Sequence, residues 1–356
     1  MVPRPGMSLH ADIRADAGAL VIEARLEARS GEVVGIVGPN GAGKTTVLKA
    51  IAGLWPISRG KVSINEWVVE DSEAGIRNPP EQRSVGMVFQ DLRLFPHMSV
   101  ADNIGYGLRL RGVPRKQARV LAEPLIETLG LAPHSKQKPG SLSGGQAQKV
   151  ALARTLITNP QVILLDEPFS ALDAESRPKV RRDMSLYFRH PDCTTIIVTH
   201  DPMEAKALCN RVIVMEEGRF IQEGEIDRIA DDPKSRYAAE SLGLNFFPGV
   251  AAGETVDVGG EATLSVVGEH HGRVIVSFHP RAVVLHQTRP EGTARNVFKA
   301  IVRTVRHENG ITRVTTAGSL SAVAEITRVS AEQLNLRPGA EVWLSVKAAQ
   351  IQVTPL

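Results

Sequence analysis

Cysteine is nearly absent: the 356-residue chain has two, Cys193 and Cys209, with no CxxC pair and no metal-ligand spacing. That excludes a disulfide framework and a zinc site, and both thiols read as inert packing residues. Long apolar runs are missing as well. No window approaches the roughly 20 consecutive apolar residues of a membrane-crossing helix, and Met1 to Ala11 lacks the apolar core of a secretion signal. The chain is therefore expected to stay in the cytoplasm. Neither charge is in excess: 42 Lys and Arg against 39 Asp and Glu leave a net charge of +3, which makes no electrostatic case for nucleic acid. Any bound anion must be held by a local site. What is present, 23% charged and 42% apolar residues, is the mixture of an ordinary folded protein, and the length suffices for two domains.

From about residue 30 to 215, short β-branched runs alternate with longer helical stretches, the pattern of a mostly parallel sheet covered by helices. The runs Val33 to Val37, Val85 to Phe89, Val162 to Leu165, Thr195 to Val198 and Val212 to Met215 are the expected core strands. Ligands of such sheets sit beyond the carboxyl ends of the strands, so the chemistry should come directly after these runs. After about residue 245 the texture changes to short alternating segments: Arg273 to Phe278, Ala282 to Leu285 and Glu341 to Lys347. In the last, Val342, Leu344, Val346 and Ala348 share one face, as in a small β-domain. Asn245 to Gly260, rich in glycine and containing Pro248, reads as the join.

Directly after the first run comes GPNGAGKTT, which fits the phosphate-binding pattern G-x-x-x-x-G-K-[ST] through Gly38, Gly43, Lys44 and Thr45. Pro39, Asn40, Gly41, Ala42 and Thr46 complete the loop. Its glycines let the backbone turn amide hydrogens inward around phosphate oxygens, and the next helix presents its positive end. Lys44 is expected to reach the β and γ phosphates of ATP, and the Thr45 hydroxyl to ligate magnesium. The second half of the site is VILLDEPFSALD. Its apolar run delivers Asp166 for the magnesium shell and Glu167 to orient or deprotonate the attacking water. By itself, an acidic pair before Pro168 would be a helix cap.

Between these motifs lies LSGGQAQKVALARTL, Leu142 to Leu156. Ser143, Gly144 and Gly145 open a helix whose inner face includes Val150, Ala153 and Ile157, so a hydroxyl and bare amides point outward at an anion. Here the chain resembles the ATP-binding cassette family, whose signature is the LSGGQ string before the Asp166 strand. The resemblance implies an α/β P-loop NTPase cassette with a helical subdomain. It also implies that Ser143, Gly144, Gly145 and Gln146 close over the γ-phosphate bound to a second copy. Gln90 corresponds to the glutamine that senses magnesium and water, His200 to the switch histidine on the γ-phosphate, and Ser170, Ala171, Leu172 and Asp173 to the loop crossing the dimer interface. Family members often stack adenine on an aromatic residue before the phosphate loop, yet no Phe, Tyr or Trp precedes Trp55. Arg14 is the candidate in its place.

The cassette resemblance spans roughly residues 7 to 235 and implies a homodimer on the cytoplasmic face of the cell membrane, permease subunits and, indirectly, an extracytoplasmic substrate-binding protein. DLRLFPHMSV, Asp91 to Val100, matches the region that receives a coupling helix, and its Leu92, Leu94, Phe95 and Met98 read equally as core. From Thr293 the chain resembles the molbindin-like (TOBE) oxyanion-binding domain of molybdate importer ATPases, an all-β, OB-like barrel. Thr293, Ala294, Arg295, Asn296, Thr327, Lys347 and Ala348 match its anion-binding positions, while Thr293 and Ala349 stand where Ser and Ser or Thr are frequent. The domains expected are a cassette over 1–240, a linker with first β segments over 241–292, and the oxyanion domain over 293–356. The function implied is ATP hydrolysis powering import of molybdate or tungstate. An importer of sulfate, ferric iron or a sugar is the alternative within the class, and a cytoplasmic oxyanion-binding regulator the alternative outside it.

Overall fold

A strand apolar on both faces must be covered on both faces, which calls for a central place in a sheet sandwiched by helices. The computed structural model describes residues 7–355 apart from 171, 174–176, 189, 261 and 309. The chain folds as two compact units, Met1–Ile226 and Asp227–Leu356.

The first unit is built on eleven strands: β1 (Met7–Ala17), β2 (Leu20–Arg29), β3 (Val33–Val37), β4 (Arg59–Ile64), β5 (Trp67–Asp71), β6 (Ile76–Arg77), β7 (Val85–Val88), β8 (Val162–Asp166), β9 (Thr194–Val198), β10 (Arg211–Glu216) and β11 (Arg219–Gly224). They pair in the order β6-β5-β4-β1-β2-β11-β10-β3-β9-β8-β7. The five expected core strands form the parallel part, β10-β3-β9-β8-β7. The registers Ile36↔Val198 and Val198↔Asp166 bring the carboxyl ends of β3, β9 and β8 level. Neighbouring strands lie about 4.8 Å apart, so the residues just past each strand end share one rim.

Helix α1 (Lys44–Ile51) leaves that rim after β3, and its Val47, Leu48 and Ile51 are fully buried against the sheet. A helical subdomain comes after β7: α2 (Val100–Ile104), α3 (Tyr106–Leu110), α4 (Arg115–Thr128) and α5 (Gly144–Leu156). Val100, Ile104, Ala122, Ile126, Val150 and Ala153 make its core. Asp102, 3% exposed, is gripped by both nitrogens of two guanidinium forks, those of Arg115 and Arg119, at 2.6–2.9 Å. These forks hold its carboxyl far below the usual carboxylate range. Beyond β8, α6 (Arg177–Phe188) and α7 (Pro202–Leu208) complete the unit.

The second unit is all-β apart from short helices. Strands β12 (Asn245–Asp257), β13 (Thr263–Phe278), β14 (Val284–His286), β15 (Asn296–Glu308), β16 (Ile311–Gly318), β17 (Val323–Thr327), β18 (Glu341–Val346) and β19 (Gln352–Pro355) form two sheets, β12-β13-β19 and β14-β18-β15-β16-β17. Both sheets feed one core, with Val266, Val276 and Phe278 from the first and Val302, Val314, Leu344 and Val346 from the second. β14 and the turn Pro280–Ala282 pack on β17, so the edges of the five-stranded sheet approach and it curls toward a barrel.

Three expectations need correction. Asn245 to Gly260 is no linker: most of it is β12, paired with β13 from Asn245↔Phe278 onward, and Pro248 is tolerated because β12 is an edge strand. The boundary at 240 falls inside the second unit, where the helix Arg236–Ser241 packs on β12 and Arg313 donates to the Gly243 carbonyl at 3.1 Å. Ala282 and Ala348 lie in 3₁₀ turns rather than strands, the former begun by Pro280, whose ring removes a ladder donor.

Candidate functional site

The phosphate loop spans the gap between β3 and α1, and its glycines are needed for two different reasons. A Cβ on Gly38 would stand 2.1 Å from the Met215 carbonyl oxygen, so only glycine permits this approach of β3 to β10. Gly43 caps α1 with φ 102°, a left-handed conformation costly to any other residue. Lys44, 6% exposed, folds back and donates to the Gly38 and Pro39 carbonyls at 2.7 and 2.8 Å. Burial pushes its pKa down, opposed by the charges of Glu167 and Asp166. The Lys44 ammonium is thus poised under the loop, bonded to neutral carbonyls that a phosphate can displace.

Across β9, the end of β8 presents the two carboxylates. The Thr45 hydroxyl donates to Asp166 Oδ1 at 2.9 Å, joining two of the three residues expected at magnesium. Burial drives the Asp166 pKa up, against the Thr45 hydrogen bond that lowers it. Hydroxyl and carboxylate oxygens are hard donors suited to magnesium, which takes one or two protein ligands and fills its shell with water and phosphate oxygens. Among the described residues no cluster of three His, Cys, Asp or Glu offers a self-sufficient metal cage.

Glu167 has φ 46°, an uncommon conformation for a side-chain-bearing residue, held by its amide bonding to the Val198 carbonyl at 2.9 Å. Its carboxylate lies between the two other assigned residues: His200 Nδ1 at 3.3 Å and Gln90 Nε2 at 3.5 Å. Three distant stretches of sequence therefore meet at one carboxylate. Ser170 turns back on the same residue, its hydroxyl donating to the Glu167 carbonyl at 2.9 Å. Ala171 lies outside the described residues; Leu172 is buried. Thr45, Lys49, Gln90, Asp91, Asp166 and Ser170 are among the residues that line an open cleft of about 600 Å³ at this rim.

The signature residues stand elsewhere. Ser143 caps α5 in a full capping box: its hydroxyl accepts from the Gln146 amide at 3.3 Å, and its own amide donates to Gln146 Oε1 at 2.9 Å. Gln146 Nε2 also donates to His134 Nε2 at 2.9 Å, a contact that nothing in the sequence singles out. Ser143, Gly144, Gly145 and Gln146 line a separate cavity of about 320 Å³ with Lys149 and Asp183, and no described phosphate-loop residue lines it. The signature residues and the carboxylate rim thus line separate cavities of one chain.

In the second unit, Asn296 faces Val346 at the end of the β15–β18 ladder, so the segment Thr293 to Arg295 leads into that ladder where Lys347 and Ala348 leave it. Asn296, 1% exposed, spends both polar atoms on the Ser265 backbone, at 2.6 and 2.9 Å. Arg295 pairs with Glu254 at 3.5 Å, both exposed. Thr327 lies at the other end of the β15 ladder, opposite Ile311, and its hydroxyl caps the helix Arg328–Gln333. Arg14 pairs with Glu23 at 2.9 Å on the β1–β2 hairpin.

A glycine loop between a strand and a helix, facing paired carboxylates on the same rim of a parallel sheet, defines a P-loop nucleotide-binding cassette. The ABC transporter family model matches residues 22–170, and the TOBE domain model residues 292–353. The molybdate/tungstate import ATP-binding protein WtpC of Pyrococcus horikoshii is 37% identical over 94% of this chain and 95% of its own. The molybdenum import ATP-binding protein ModC of Mycobacterium tuberculosis is 33% identical over 95% and 96%. Import ATP-binding proteins for trehalose/maltose, spermidine/putrescine and sulfate/thiosulfate match too. Among solved structures, cbiO1 of Clostridium perfringens, part of the ABC transporter complex cbiONQ, superposes with a TM-score of 0.54 at 27% identity, covering 64% of this chain and 96% of its own. The chain belongs to the ABC transporter ATPase family and carries a C-terminal TOBE domain.

Proposed function

We propose that this chain hydrolyses ATP to drive import of molybdate, or the chemically similar tungstate, through a membrane permease at the cytoplasmic face. The observation that supports hydrolysis is Glu167, strained at the end of β8 and flanked by Gln90 and His200. In this reading the loop amides and Lys44 hold the triphosphate, and Thr45, Asp166 and Gln90 hold magnesium, which offsets phosphate charge when bound. Glu167 orients or deprotonates the attacking water, and His200 contacts the γ-phosphate. No residue lining the cleft at the strand ends comes from the signature loop, and in this reading a second copy completes the site: the exposed Ser143 and Gly144 of each chain cover the nucleotide of the other. Closure of that sandwich moves the permease, which an extracytoplasmic binding protein loads, and hydrolysis resets it.

Molybdate is favoured because the WtpC and ModC relatives match over 94% and 95% of this chain; the spermidine/putrescine relative covers 89% at 36% identity, so uptake must separate the two. With the Asn296 side chain committed to β13, anion binding in the β unit falls to Lys347, Arg295, the Thr293 hydroxyl and backbone amides. The test is ATP-driven uptake of labelled molybdate into vesicles holding this subunit and its permease. Tungstate is expected to compete at equal concentration and sulfate to leave uptake unchanged. Preferential transport of sulfate or a polyamine would overturn the assignment.

A further inference from the structure

The segment after Gln90 makes a tight turn, closed by the Leu92 amide on the Phe89 carbonyl at 2.9 Å and the Arg93 amide on the Asp91 carbonyl at 2.6 Å. Leu92 and Arg93 are consecutive side-chain-bearing residues with φ 56° and 45°, each uncommon and costly. Such a turn persists only where its surroundings hold it. Its carbonyls are clamped from outside the segment by Arg154, in the last turn of α5. Its Nη1 donates to the Arg93 carbonyl at 2.7 Å and its Nη2 to the Leu92 carbonyl at 2.8 Å, while its guanidinium lies 5.3 Å from the centroid of the Phe95 ring. Among the described residues no carboxylate shares these bonds, and burial alone pulls the pKa of this guanidinium down, so its charge is spent on two carbonyls and a ring. From the other side, buried Asn103 accepts from the Phe95 amide at 2.9 Å and donates to the Phe95 carbonyl at 3.1 Å.

The same helix begins at Ser143 and ends against the Gln90 strand. A Cβ on Gly86 of β7 would meet Thr155 Cγ2 at 2.3 Å, so α5 and β7 are packed as closely as glycine allows. A thirteen-residue helix is a rod of roughly 20 Å, with the signature loop on one end and Arg154 near the other.

We propose that Arg154 is a positioning residue that couples the two half-sites of one chain, fixing where the signature loop stands relative to Gln90. When Gln90 moves on its own nucleotide, the Leu92–Arg93 carbonyls draw Arg154, and α5 carries Ser143 toward the nucleotide of the second copy. This rests on the two-copy arrangement proposed above. Arg154 touches no reacting atom, so its loss should spare nucleotide binding and impair closure.

The experiment uses the full chain with Arg154→Met, which keeps an apolar stem, and Arg154→Lys, whose single ammonium cannot grip both carbonyls as a fork. ATP affinity and ATP-driven dimerisation are measured in a Glu167→Gln background, and turnover in the background with Glu167 intact. ATP affinity of the monomer is expected to stay within about two-fold, while dimerisation and kcat both fall about ten-fold in Arg154→Met and by less in Arg154→Lys. Unchanged dimerisation and kcat would overturn the proposal, as would a loss of kcat matched by an equal loss of ATP affinity. Should Arg154→Met fail to fold, Arg154→Lys decides on the same criteria. A Glu167→Gln parent that binds ATP but never dimerises would sink the two-copy arrangement and this inference together, whereas dimerisation equal in parent and variant sinks the inference alone.

Discussion

At the scale of single residues, the proposed roles separate holding phosphate from activating the attacking water. Lys44 is bonded to two loop carbonyls and Thr45 to Asp166, and none of these three hydrogen bonds involves Glu167. Glu167→Gln should therefore leave ATP binding within about two-fold while turnover falls by roughly 10² or more, because water loses its base or orienter while the phosphate grip stays intact. Single-turnover hydrolysis beside equilibrium ATP binding checks this, and full turnover would refute the role given to Glu167. The residues of this pair of motifs were legible because each comes after an apolar run of fixed length. Arg154 was not, since its partners are backbone carbonyls more than sixty positions away, and carbonyls carry no residue identity.

Among elements, the helical subdomain depends on one buried acid. Asp102 accepts four charge-assisted hydrogen bonds that tie α2 to α4, and its Ser99 neighbour both caps α2 and donates to the same carboxylate at 2.9 Å. Asp102→Asn should lower stability at neutral pH by about 2 kcal/mol, since the amide can satisfy neither fork in full. The folded pKa lies below the unfolded value of about 3.9, so the stabilisation is fully present above that value. It is lost as pH falls through the folded pKa. Urea denaturation of both proteins should show the gap constant at pH 6–8 and narrowing below about pH 4; a gap that widens in acid would contradict the ion-pair account. Aspartate in the first turn of a helix reads as an ordinary dipole complement, and only the fold shows that α4 aims two guanidinium forks at it.

For the whole molecule, the cassette and the β unit each own a hydrophobic core. The segment 225–356 should therefore fold alone, giving a β-type circular dichroism spectrum and one cooperative melt, because its strand ladder closes without cassette residues. A non-cooperative melt would show that the core is incomplete. Sequence alone determined the order of chemistry along the chain: a glycine loop after β3, a glycine-rich cap at the start of α5, carboxylates at the end of β8, a histidine after β9. Apolar runs dictate buried parallel strands, and parallel strands deliver their carboxyl ends to one rim. Tertiary structure alone decided which groups meet there. Strand order, not chain order, brings Gln90 and His200 to the same carboxylate, and the long pairing of β12 with β13 turns an apparent linker into wall. Pairing across the sheet is a choice among many contacts of large sequence separation, and no local pattern encodes that choice.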